Sequence, residues 1–341
     1  MIIVAIVVIV LIALISAPFM KFELSDPFAP YLGWGASNSY VLYGVTGASS
    51  SLRALKVSLQ DRVPNKDSVQ INYYFFTSAG IISTNAFTIL PRSSLSFDMH
   101  NMVMDLRSGN LHMLLERISS DWNTWHLIVE DSRVDLDVVL RRGPIYFWTK
   151  NIFLINMDAL DTTLQGTFTD KTSRTTETVS GMVNFDHWVV TVPIRGNPNT
   201  SVLTPNPSNR KQITMSFYEV TYWQTPNGPH ATVLWARQQR DGTYDVNLAS
   251  TITGILSEES SPTLAVSADT MDSGCAVLPA SWTVAFNRTL SYTSTIHQYV
   301  LQNGIDSPTS NQANIFTQGN VTTPDGAFQG YGFLEYSRIC V

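Results

Sequence analysis

The chain of 341 residues carries 21 Lys and Arg against 27 Asp and Glu, a net charge of -6, and only 14% of its residues are charged. That balance lacks the basic footprint of a nucleic-acid binder, and a 44% hydrophobic content excludes wholesale disorder. With 8 Trp, 13 Tyr and 16 Phe beside abundant Ser, Thr and Asn, the composition favours strands over helices, because aromatic and β-branched side chains pack well on a pleated surface.

Residues 1–20, MIIVAIVVIVLIALISAPFM, hold no charged side chain. About 20 residues at ~1.5 Å each cross the hydrocarbon layer of a bilayer. The segment therefore reads as a helical membrane anchor, or as a signal peptide cleaved near Ser16-Ala17. Either reading sends the rest of the chain into the secretory pathway, secreted or anchored with a lumenal or extracellular ectodomain. An uncleaved segment would make the membrane a partner. The two cysteines, Cys275 and Cys340, can pair as a disulfide in an oxidising compartment or stand as core thiols. N-glycosylation sequons begin at Asn199, Asn287 and Asn320.

Beyond Gly35, short runs rich in β-branched and aromatic residues predict strands over 39–46, 53–59, 69–76, 125–130, 134–140, 145–148 and 152–157. Leu111–Ile118 reads as a short helix or a strand. Residues 162–178 are polar and Thr-rich, an exposed hairpin or a connector. A second set of strands is predicted over 189–194, 212–220, 231–238, 244–249, 282–286, 289–293, 296–301 and 330–337. Pro-, Asn- and Ser-rich loops are predicted over 196–210 and 304–325. Many short strands in two groups imply an all-β protein built from two barrels or sandwiches.

No HExxH, CxxC, Walker loop or GxSxG elbow is present. Gly330-Tyr331-Gly332 opens no helix and so is no dinucleotide fingerprint. The six histidines show no metal-ligand spacing, so no metal and no cofactor is expected. One cluster stands out, Gly181-Met182-Val183-Asn184-Phe185-Asp186-His187-Trp188. Adjacent residues on a strand point to opposite faces, so Asp186 and His187 cannot share a pocket without a bulge. One of them, with Trp188, is a candidate proton donor or polar anchor; the alternative is a strand-end cap. Asp98, Asp105, Glu116, Asp135, Asp137 and Glu219 are carboxylates whose spacing selects none of them. The large aromatics either frame an apolar pocket or fill barrel cores.

These features together resemble the lipocalin-like hydroxyneurosporene synthase superfamily, a group of carotenoid hydratases, fungal kievitone hydratases and decalin-forming Diels–Alderases. Val134–Pro144 is similar to the strand that closes the family's first barrel, and Gly181–Trp188 to the Gly-x-x-x-x-Asp-His-x-Trp signature opening its second. Here one residue between His and Trp is missing. Arg237–Gly242 resembles an Arg-x-x-Asp-Gly turn, and Gly330–Glu335 the closing Gly-x-Gly strand. The resemblance implies two lipocalin-like antiparallel barrels, over 24–170 and 179–341, acting without a cofactor on a small apolar polyene. The activity it implies is an intramolecular [4+2] cycloaddition of a polyene polyketide or polyketide–amino acid intermediate of secondary metabolism. A hydratase of an isoprenoid double bond, or a non-catalytic binder, are the alternatives. Asp186 and His187 would then be catalytic, and Trp188, Trp223, Trp235, Trp125 and Tyr73 would bind substrate.

Overall fold

A computed structural model describes residues 37–47, 49–61, 68–84, 88–98, 101–120, 123–143, 145–150, 154–190, 213–239, 244–250, 254–255, 263–267, 270–271, 278–286, 290–303 and 310–339. Apart from a 3-10 turn at Arg92–Ser94, every regular element among them is a strand. No helix among the described residues is long and apolar enough to cross a membrane. The apolar segment 1–20 lies outside the described residues, as do Cys275, Cys340, Asn199 and Asn287; Asn320 is exposed on a strand.

The first thirteen strands are β1 (Ser37–Thr46), β2 (Leu52–Asp61), β3 (Ser68–Thr77), β4 (Gly80–Ser83), β5 (Thr88–Pro91), β6 (Leu95–Asp98), β7 (Val103–Ser108), β8 (Leu111–Arg117), β9 (Thr124–Glu130), β10 (Val134–Arg141), β11 (Ile145–Lys150), β12 (Leu154–Asp170) and β13 (Thr175–Val190). They make one antiparallel sheet in the order β4-β3-β2-β1-β13-β12-β10-β9-β8-β7-β6, with β5 paired to β3 and β11 to β12. The rest are β14 (Ile213–Thr225), β15 (Gly228–Gln239), β16 (Tyr244–Ser250), β17 (Gly254–Ile255), β18 (Thr263–Val266), β19 (Thr270–Met271), β20 (Leu278–Pro279), β21 (Ser281–Phe286), β22 (Leu290–Asn303), β23 (Ser310–Thr323) and β24 (Gly326–Ile339). Nine of them form a second sheet, β17-β16-β15-β14-β24-β23-β22-β21-β18, and β19 pairs with β20. Both sheets curl into antiparallel half-barrels.

Strand alternation assigns the side chains to three cores. Tyr40, Leu42, Val57, Tyr73, Trp125 and Phe185 fill the inside of the first sheet. Phe217, Leu234, Trp282, Tyr292, Ile315 and Tyr336 fill the second. The opposite faces of β1–β3 and β14, β15, β23 and β24 are buried against each other. Val41, Val45, Phe76, Val220, Phe316 and Phe333 are among the residues meeting there. Both faces of the central strands are therefore dry, which explains why β3 is a nearly unbroken apolar run, VQINYYFF.

Two open readings are decided by the structure, and several other elements differ from the sequence expectation. Leu111–Ile118 is the strand β8 over all but its last residue, and 162–178 is the far end of the β12–β13 hairpin, most of its Thr side chains turned outward while Thr162 is buried. The predicted loop at 304–325 contains β23, whose Asn, Gln and Gly residues depress strand propensity but pair on both sides with β22 and β24. The two runs at 289–301 are one strand, β22, with a register shift between Ile296 and Gln298. Gly181–Trp188, expected to open the second barrel, lies on β13 and pairs with β1 and β12 in the first sheet. The chain changes sheets after Val190 rather than near 179, because the Thr-rich stretch is a hairpin tip and not a linker.

Gly181 sits where β1 crowds β13: a Cβ there would lie 2.0 Å from the Val45 carbonyl oxygen. Gly181→Ala is expected to cost about 1–3 kcal/mol through this backbone clash. Gly47→Ala, with nothing within 4 Å, should stay within about 0.5 kcal/mol; chemical denaturation of the two variants checks the contrast.

Candidate functional site

The face that β12, β13, β1, β2 and β3 turn towards the second sheet changes character along its length. One ladder row is apolar, running from Met182 through Val45 and Ala54 to Phe76. The next holds Asn184, Tyr43, Lys56 and Tyr74, and the one after it Asp158, Asp186, Val41, Ser58 and Asn72. Beyond these come Ser39, Gln60 and Gln70. The second sheet answers in kind. Val233, Val220, Phe333 and Phe316 form an apolar row, beside a polar row of Trp235, Tyr218, Glu335 and Asn314. Apolar row packs on apolar row, and the polar rows meet at one end of the interface.

Hydrogen bonds join the polar rows. Lys56, 3% exposed, donates from Nζ to Glu335 Oε2 at 2.5 Å and to Asn314 Oδ1 at 3.0 Å. The Tyr43 hydroxyl donates to the same Glu335 oxygen at 3.0 Å. Asn184 Nδ2 donates to Asp158 Oδ1 at 2.6 Å and to the Tyr218 hydroxyl oxygen at 2.7 Å, and Tyr218 donates to Asp158 at 2.8 Å. Tyr222 closes the adjoining end by donating to the Tyr43 carbonyl at 2.7 Å.

Asp186 stands in the middle of this arrangement. Burial, then the charges of Asp158 and Glu335, raise its carboxyl well above the usual range, with Lys56 pulling the other way. Its Oδ1 has no hydrogen-bond partner among the described residues, and neither have Ser39 Oγ, Gln70 Oε1, the Asn72 amide, the Tyr74 hydroxyl and Trp235 Nε1. All of these atoms belong to the facing polar rows. Buried polar groups are ordinarily paired, and this concentration of donors and acceptors marks the facing polar rows as the candidate site. The Arg237 guanidinium stacks over Trp235, 3.8 Å from the ring centroid, and backs the indole.

The residues singled out from sequence do not all meet here. Asp186 and Trp235 are brought together between the sheets. His187 turns the other way, as strand alternation requires, and stacks on Tyr40 inside the first sheet, with ring centroids 4.1 Å apart. Trp125 lies in the same core, edge-on to Phe185 at 5.7 Å. Tyr73 is there too, its hydroxyl bonded to Asp131 and receiving Arg133 Nη2 at 2.7 Å. Trp223 is buried in the second core, 5.8 Å from the His230 ring. Trp188 pairs across the ladder with Ser39 and Asn156, and its side chain lies outside the described atoms. Among the described residues no group of three His, Cys, Asp or Glu is placed to hold a metal ion. Sequence reasoning missed Asp158, Asn184, Lys56, Tyr218 and Glu335. Their signal was a polar residue in the middle of an apolar strand, as in ALKVSL and GFLEYS.

No family profile matches the sequence, and no curated protein matches it. Solved structures do match in fold. An AttH-like protein from Nitrosomonas europaea superposes with a TM-score of 0.61 at 12% identity, over 90% of this chain and 94% of that one. Kievitone hydratase from Nectria haematococca gives 0.57 at 12% identity over 89% of each chain. CghA in complex with Sch210972 gives 0.56 at 12% identity over 93% of each. The chain thus shares the fold of these proteins. Proteins of this fold include a Diels–Alderase and a hydratase.

The raised Asp186 makes a prediction. The folded chain holds this proton more tightly than the unfolded chain, so the group favours folding at low pH. That contribution is lost as pH rises from the usual carboxylate range towards the raised folded value. Asp186→Asn keeps the shape and removes the titration. Its stability, measured by urea unfolding from pH 4 to pH 8, should fall less with rising pH than that of the parent chain.

Proposed function

We propose that this protein is a cofactor-free enzyme that folds a linear, apolar polyene between its two barrels and closes it by an intramolecular [4+2] cycloaddition. The observation that carries the proposal is the buried Asp186, its carboxyl raised well above the usual range, on a wall of amides and hydroxyls that make no hydrogen bond among the described residues, with an apolar row beside it. A cycloaddition needs no nucleophile. It needs diene and dienophile held in a near-attack arrangement, which can contribute on the order of 7–11 kcal/mol in favourable cases. It also gains from a hydrogen bond to the carbonyl that activates the dienophile. In this reading the Asp186 O–H donates that bond. The Asn72 amide and the Tyr74 hydroxyl hold the polar end of the substrate. Val41, Trp235 and the aromatic faces of Tyr43 and Tyr218 confine the chain. The fold shared with the Diels–Alderase CghA at 12% identity supports the reading.

A second reading has its own observation. Asp186 and Asp158 are cross-strand partners, and after burial the nearness of Asp158 is the next cause that raises the Asp186 carboxyl. An acid beside a base is the equipment for hydrating an isoprenoid double bond. Asp186 would protonate the alkene, the cation would rest against Tyr43 and Tyr74, and Asp158 would take the proton from the entering water. The apolar segment 1–20 would deliver either enzyme into the secretory pathway.

Product mass separates the readings when the purified chain is incubated with linear polyenes that carry a conjugated carbonyl. Cycloaddition leaves the mass unchanged and hydration adds one water. Binding without any product would leave an apolar-ligand carrier and end the catalytic proposal. Asp186→Asn should lower kcat by on the order of 10²-fold, while His187→Gln, on the opposite face, should change it by less than about tenfold; initial rates with the same polyene decide.

A further inference from the structure

The outer face of the first sheet carries charges that the site between the sheets does not use. Trp125, Leu127 and Val129 of β9 fill the first core, so His126, Ile128 and Glu130 turn outward. His126 faces Glu116 directly across the ladder on β8, and on its other side Asp137 of β10 pairs with the next outward residue, Ile128. The imidazole ring spans the two carboxylates. Its Nδ1 lies 3.0 Å from Glu116 Oε1, and its Nε2 lies 2.7 Å from Asp137 Oδ1. A contact of the same kind recurs one strand further out, where His112 Nε2 on β8 lies 3.1 Å from Asp105 Oδ1 on β7.

Two carboxylates on opposite sides of one imidazole select its protonation state. A neutral ring has one N–H and one lone pair, whereas the imidazolium donates from both nitrogens. The charged ring satisfies both contacts at once, and loss of its proton leaves a lone pair against a carboxylate oxygen. Partial burial opposes the charge, but the hydrogen bonds to Glu116 and Asp137 outweigh it and raise the ring above the usual histidine value. The other charged and titratable groups on this face are Glu130 on β9, His112 on β8, Asp135 and Arg141 on β10, and Asp105 and Arg107 on β7. Arg107 donates to Asp105, and Lys171 to Glu130. Among the described residues, the cation bonded to Glu116 and to Asp137 is therefore the His126 ring.

We propose that His126 is a pH-sensitive staple: its imidazolium ties β8, β9 and β10 together through Glu116 and Asp137, and loss of its proton loosens that wall of the first barrel. These strands lie in the half of the sheet that runs from β12 out to the edge strand β6. A ring whose folded value lies above its ordinary value of 6.5 contributes its stability in full below about that pH. The contribution is lost as pH rises through the folded value. Ion pairs this close to solvent are individually weak, with the Asp137 side chain 56% exposed. The staple therefore biases local opening of β8–β10 rather than unfolding of the whole chain. It lies on the face of the first sheet opposite its core, so it stands whether or not the reading of the interbarrel site holds.

The test uses the full chain. An NMR titration of the ring reads the His126 midpoint. Amide hydrogen exchange, corrected for the intrinsic rate at each pH, reads the opening of β8–β10 from pH 5 to pH 9. The His126 midpoint should lie above 6.5. Protection of β8–β10 should fall by about threefold or more across that midpoint, while β22–β24 of the second sheet keep theirs. His126→Gln, which keeps one donor and removes the titration, should flatten the change at β8–β10. Glu116→Gln should lower the ring midpoint towards 6.5, and it decides the matter if His126→Gln fails to fold. A parent midpoint at or below 6.5, an unmoved midpoint in the Glu116→Gln chain, or an equal loss of protection in the parent and His126→Gln chains would overturn the proposal. So would a loss of protection that disappears with His112→Gln instead, which would move the switch to the neighbouring ring.

Discussion

The ammonium of Lys56 is out of water, and among the described residues its hydrogen-bond partners, Glu335 and Asn314, both lie on the second sheet. A buried cation without a partner costs several kcal/mol, so β2 requires β23 and β24 to sit where they do. This contact sets the register of one sheet on the other. Once it is made, Tyr43 reaches Glu335 and Tyr218 reaches Asp158. The apolar row beside them is brought against Phe316 and Phe333. The interface is therefore two-part: hydrophobic burial supplies cohesion, and a paired charge supplies position.

That division also accounts for the site. If the interface were apolar throughout it would close on itself, since complementary apolar faces pack to high density. Polar rows cannot collapse in the same way, because each donor and acceptor needs a partner at a defined distance and angle. Where Lys56, Asn184 and Tyr218 find partners the sheets are tied. Gln70, Asn72 and Tyr74 are buried beside them, with side-chain atoms that make no hydrogen bond among the described residues. The same desolvation that makes the site costly to build raises the Asp186 carboxyl and favours its protonated, hydrogen-bond-donating form.

Many of the strands could be read from the chain. Runs such as SYVLYGVT and VQINYYFF announce strands by composition, and the alternation rule already separates Asp186 from His187. The structure keeps them apart by turning one to Glu335 and Asp158 and the other to Tyr40. β23 escaped detection because local propensity counts its Asn, Gln and Gly residues against it. In the sheet, pairing on both sides outweighs that preference, and Asn314 is valuable for being polar, since it binds Lys56. The aromatics Tyr73, Trp125 and Trp223 show the converse limit: a large ring is needed equally to fill a core and to line a pocket, and residue type does not distinguish the two.

By itself, then, the sequence determined that this is a chain of many antiparallel strands with aromatic cores, because a period of two and a β-rich composition are local properties. It also determined that neighbours on a strand part ways, because the pleat allows nothing else. Tertiary structure alone decided which face of each strand meets the other sheet. It also decided that Lys56, Asp158, Asp186 and Glu335, separated by up to 279 residues, share one dry space. Burial and charge pairing depend on where distant strands come to rest, and no window along the chain contains that information.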